Sequence, residues 1–101
     1  MTRPENPGNL PGMLPAAVAD RVSAAWERVG DAIAETDHTP EKLAAAADRC
    51  REMAEAYREV RRHLPPSSVL MKLCLNAENY QADSARFWAG QAEAAAAEVA
   101  R

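Results

Sequence analysis

Leu64-Pro65-Pro66-Ser67-Ser68-Val69-Leu70-Met71-Lys72-Leu73-Cys74-Leu75 is the stretch that decides the fold. Two consecutive prolines cannot continue a helix, so they close the segment before them. Ser67 and Ser68 supply side-chain oxygens suited to an N-cap, and a new helix opens there. Its first turns are apolar on nearly every side except at Lys72. A helix that is apolar all round must be covered all round, so two other segments or a second copy of the chain are expected to pack on it. The connection is short enough to make the helices on either side antiparallel neighbours.

Upstream of the prolines, Leu43, Cys50, Tyr57 and Leu64 recur seven apart, with Ala46, Met53 and Val60 between them. That is a heptad seam of the kind helices use in bundles. Thr39 is a natural N-cap, Pro40 fits the first helical position, and Glu41 places negative charge at the positive end of the helix dipole. Arg58, Arg61, Arg62 and His63 suit the opposite end, so a helix is predicted over 40–63. An earlier helix is predicted from Pro15, at its first position, to about Glu35. There Val18, Val22, Ala25, Trp26, Val29 and Ile33 form one stripe at steps of three and four. Gly30 interrupts it at a cost of roughly 1 kcal/mol against alanine and is a candidate for close approach of a neighbouring backbone.

The third helix is predicted over 68–100. Its alanine-rich end, Gln91 to Arg101, overhangs the second helix. Residues 1–14 contain Pro4, Pro7, Pro11, Gly8 and Gly12 and read as an extended arm, either a free tail or a strap laying Leu10 and Met13 across the bundle. The fold class is therefore all-α: an antiparallel three-helix bundle over 15–101, its third helix longest and deeply buried in its first two turns. Folding the chain about its two connections places Trp26, Cys50 and Gln81 at one level. Ile33, Leu43 and Trp88 share another, and Tyr57 falls beside Cys74.

A net charge of −3 is too mild for a partner gripped through its phosphates, so nucleic acid is not expected. Arg49, Arg51, Arg58, Arg61 and Arg62 are the densest basic group, but Glu52, Glu55 and Glu59 interleave with them. No apolar run is long enough to span a membrane, and the first residues lack the apolar core of a signal peptide; the expected location is the cytoplasm. Cys50 and Cys74, about 12 Å apart in height by the helical rise, are expected to stay unbridged as small core residues. His38, Cys50, His63 and Cys74 lack the close pairing of a zinc site, and Glu59 and His63 are four apart where a di-iron motif needs three. Nothing resembles a phosphate-cradling loop, and a thiol in the apolar surroundings of Cys74 is inert. Neither an enzyme nor a cofactor is expected. Trp88-Ala89-Gly90 resembles the W-x-G triplet of small secreted helical hairpins, where it makes the turn between helices. Here no helix follows it and Tyr80 is followed four residues later by Ser84, so the resemblance is set aside.

These observations point to a non-enzymatic helical protein–protein interaction module. Val69, Leu70, Met71, Leu73 and Leu75 spread around more of the third helix than two neighbours can cover. They are the candidate interface, and the expected partner is a second copy, or another helical protein. The alternative is a small-molecule-binding or sensing bundle with a cavity lined by Trp26, Tyr57 and Trp88.

Overall fold

A computed structural model describes residues 14–101; the arm expected over 1–14 lies outside them except for Leu14. The described chain is all α-helical: α1 (Ala16–Ala34), α2 (Pro40–Arg61) and α3 (Val69–Ala100). The helices are antiparallel in sequence order, and α2 is the middle element. It packs on α1 along one face and on α3 along another, whereas no Cα of α1 comes within 8 Å of a Cα of α3.

Local chemistry sets the helix ends. Thr39 Oγ1 accepts a hydrogen bond from Lys42 N at 3.2 Å, and Pro40 stands at the first position of α2. Ser68 Oγ accepts from Met71 N at 3.1 Å and caps α3 while donating to the Pro65 carbonyl at 2.9 Å. Pro15 precedes α1 as its cap instead of occupying the first turn, its carbonyl accepting from Val18 N and Ala19 N at 3.0 and 3.1 Å. α2 stops at Arg61, short of His63, because its last bonds tighten to three-residue closures: His63 N donates to Val60 O at 3.0 Å and Leu64 N to Arg61 O at 3.3 Å. The residue before Pro65 is disfavoured in the α region, and such a tight turn is the usual way out. At the α1–α2 corner Glu35 accepts from Asp37 N at 3.0 Å and pairs with Lys42 Nζ at 3.3 Å. Both contacts, the backbone one first, hold its carboxyl below the ordinary range.

The α2 seam forms the core. Met53 and Cys50 are completely buried; Ala25, Val29, Met53 and Ala56 form one cluster, with Val22 and Tyr57 against it. Val18, Val60 and Leu64 form a second, with Leu14, Met71 and Cys74 against it. α3 turns the row Met71, Cys74, Glu78, Gln81 and Ala85 toward α2, three of them buried. Ile33, Leu43 and Trp88 line one small hollow, as their common level required. Tyr57 is near enough to Cys74 for a thiolate there to raise its pKa, on top of the rise from burial.

Three expectations change. The opening turns of α3 are not deeply buried: Val69, Leu70, Leu73 and Leu75 are exposed. The reason is that α3 has one neighbouring helix, not two. Trp26 and Ile33, expected in the α1 core stripe, are exposed on the edge of α1. Gly30 serves no close approach, since a Cβ there would meet nothing within 4 Å. Trp88-Ala89-Gly90 lies inside α3 and makes no turn.

Candidate functional site: an apolar flank along α3

Around α3 the two sides flanking the buried row differ in chemistry. One carries Lys72, Asn76, Asn79, Asp83 and Arg86; Arg86 pairs there with Asp83. The other carries Leu70, Leu73, Ala77, Tyr80, Ser84 and Phe87, at alternating steps of three and four. Large side chains on this second flank stand in solvent: Leu73 is 57%, Tyr80 68% and Phe87 57% exposed. Phe87 meets Trp88 edge-to-face, ring centroids 5.1 Å apart. Trp88 ties this flank to α1, because it shares a hollow with Ile33.

Trp26 and Ile33 are seven residues apart and so lie on one side of α1. Ile33 faces the hollow with Trp88, so Trp26, 58% exposed, lies on the α1 edge nearer α3. Because α1 and α3 both pack on α2 without meeting each other, the two edges are separated by a trough floored by α2. It is closed at one end, where Ile33 and Trp88 share the hollow over Leu43 and Ala46. Of the five residues named from the sequence, Leu70 and Leu73 belong to this flank and Val69 adjoins it. Leu75 is exposed on the polar side, and Met71 packs into the cluster of Val18, Val60 and Leu64. Tyr80, Phe87, Trp26 and Ile33 were missed as surface residues. The signal for Tyr80 and Phe87 was already present: they follow Leu73 at intervals of seven.

Trp26, Tyr57 and Trp88 do not converge on a cavity. Trp26 faces outward, Tyr57 packs on the cluster around Met53, and Trp88 lines its hollow with Ile33, Leu43 and Ala46.

Charge is largely consumed locally. Arg28 and Arg49 both donate to Glu52, at 3.1 and 2.7 Å, and Arg62 donates to Glu59 at 2.8 Å. The hollow between α1 and α2 lined by Arg21, Arg28, Arg58 and Arg62 also carries Glu52, Glu55 and Glu59. Arg58 and Arg61 cross to α3, donating from Nε to the two oxygens of buried Glu78 at 3.0 and 2.7 Å. Burial raises the Glu78 pKa, and the bonds from Arg61 and then Arg58 more than offset it, leaving the carboxyl below its ordinary value. His63 Nε2 lies 3.4 Å from Glu59. Cys50 and Cys74 are both free thiols; burial raises the pKa of each, against an opposing pull from Arg51 and Arg61 respectively. Thiols so placed carry little thiolate. Among the described residues no group of three or more His, Cys, Asp or Glu is placed to hold a metal ion. Within the same residues no helix is long and apolar enough to cross a membrane. Compared with known protein families, curated proteins and solved structures, the chain has no significant match.

Proposed function

We propose that this chain is a non-enzymatic helical association module that pairs with a second copy of itself through α3. The interface begins at the apolar start of α3, with Leu70 and Leu73, and continues along the same flank. One observation carries this: along the flank Leu73, Tyr80 and Phe87 recur over about four turns, each more than half exposed, beside the exposed edge of α1. Large contiguous apolar patches on a small domain mark sites of association. The flank is also the wrong shape for a small ligand, which prefers a concave, enclosed site.

Sedimentation velocity of the full chain across a micromolar concentration series tests the proposal, with Leu73→Glu as comparison. Leu73 is exposed, so the substitution leaves the monomer fold within about 0.5 kcal/mol while placing a charge in the interface. The wild-type chain is expected to sediment as a dimer and Leu73→Glu as a monomer of unchanged helicity. A wild-type chain that stays monomeric at high micromolar concentration refutes the proposal.

A further inference from the structure

The geometry points to an antiparallel pairing, in which α3 of each copy lies against the partner's α3 and along the trough between the partner's α1 and α3. This rests on the self-association proposed above and specifies its arrangement. Alternating steps of three and four give a repeat of 3.5 residues, the period of a helix pairing with another helix along its whole length. The side-chain sizes along that seam then decide direction. From Leu70 onward they read Leu70, Leu73, Ala77, Tyr80, Ser84, Phe87. In a parallel pair each residue faces its own copy, so Tyr80 meets Tyr80 and Phe87 meets Phe87, while Ala77 and Ser84 leave gaps between them. Run antiparallel, with Ala77 opposite the second copy's Tyr80, the same register puts Ser84 opposite Leu73 and Phe87 opposite Leu70. Bulk then faces small side chains in two successive layers, the condition for close packing without voids.

Charge agrees with size. Glu98 and Arg101 continue the seam toward the C-terminus and pair with each other within one chain at 3.1 Å. A parallel pair would set Glu98 against Glu98 and Arg101 against Arg101. The antiparallel pair carries these residues past the contact and opposes the helix dipoles favourably.

The α1 edge fits the same register. α1 and α3 run parallel, and Ile33 shares the level of Trp88, so Trp26, two turns earlier, falls at the level of Gln81, beside Tyr80. A second copy's Ala77 facing Tyr80 therefore also meets Trp26, and its Leu70, facing Phe87, meets Ile33. The area is adequate for a stable dimer. With aromatic side chains of roughly 150–250 Å² each, the exposed portions of Trp26, Tyr80 and Phe87 give on the order of 400 Å² per copy, and Ile33, Leu70 and Leu73 raise this to about 600 Å². A standard interface needs about 800 Å² per partner, and homodimer interfaces are about 65% apolar.

Site-directed cross-linking tests the arrangement in the full chain, with Leu70→Cys and Phe87→Cys made separately and the wild-type chain as background for the native thiols. In the antiparallel pair the two copies of residue 70 are about 25 Å apart along the axis from a rise of 1.5 Å per residue, far beyond the ~7 Å a disulfide spans. An equal mixture of the two variants is expected to give at least five-fold more covalent dimer than Leu70→Cys alone, which stays at background. Efficient cross-linking of Leu70→Cys to itself overturns the antiparallel arrangement and leaves self-association standing. So does a mixture that fails to cross-link while the wild-type chain sediments as a dimer. A chain that sediments only as a monomer removes both.

Discussion

Glu78→Gln keeps the size and shape of the side chain and deletes its charge, which makes it the sharpest probe of how α2 and α3 are held in register. Its side chain is 9% exposed, while those of Arg61 and Arg58 are 26% and 57% exposed. A charge-assisted hydrogen bond contributes about 1.5–3 kcal/mol when desolvated and roughly 0–1 kcal/mol when a partner stands in water. The Arg61 bond belongs to the first class and the Arg58 bond to the second. Glutamine offers one oxygen and turns an amide donor toward the other guanidinium, so one of the two bonds is replaced by donor facing donor. The expected loss is about 2 kcal/mol, which for a domain of this size lowers Tm by roughly 8–16 °C. Thermal and urea unfolding followed by circular dichroism at fixed protein concentration measure it.

The pH dependence supplies a second readout. The folded pKa of Glu78 lies below its ordinary 4.5, so its contribution is complete above that value and is lost as the pH falls through the folded pKa. The gap between wild type and Glu78→Gln should therefore be constant from about pH 6 to 8 and close progressively below about pH 4.5. Arg61→Ala should cost more than Arg58→Ala, in the order of their burial. A loss under about 0.5 kcal/mol with no change in gap on acidification would place the triad among surface ion pairs of no consequence and refute the reasoning.

Met53→Ala removes a fully buried side chain whose neighbours Ala25 and Ala56 are too small to collapse into the space. It should cost about 3–4 kcal/mol, within the range for large-to-small core changes, as a shift of the urea midpoint. Gly30→Ala acts the other way: a Cβ there meets nothing and the helix gains, so Tm should rise by an amount matching about 0.5–1 kcal/mol. A fall in stability at Gly30 would mean that the α1 edge is closely packed.

The helices were legible because the chain punctuates them with strong local chemistry. Thr39-Pro40 and Pro65-Pro66-Ser67-Ser68 specify ends through hydrogen bonds within a few residues, independent of the tertiary fold. The α2 seam was legible for a similar reason, since one helix packed on two sides shows its period plainly. What could not be read was the spacing of α1 from α3. Trp26 and Val22 are both apolar and only four residues apart, yet one is exposed and the other packs on the core. Periodicity fixes which residues share a face but not how wide the covered arc is. The Glu78 triad was only partly discoverable: closing the hairpin at the prolines sets Glu78 beside Met53, and Arg58 and Arg61 reach it along α2 from about one to two turns away. The candidate interface was half visible, Leu70 and Leu73 from the apolar run, and half hidden among aromatics that looked like core.

Because α1 is anchored along one side only, the three helices are unequal in tenure. The α2–α3 hairpin shares a longer boundary and holds the ion triad in which Glu78 is buried between Arg58 and Arg61. Loss of α1 would strip the Met53 cluster of Ala25 and Val29 and remove one wall of the trough. A second copy seated as proposed above would lose its contacts with Trp26 and Ile33 but keep those with α3, so seating of the first helix would strengthen the pairing without being required for it.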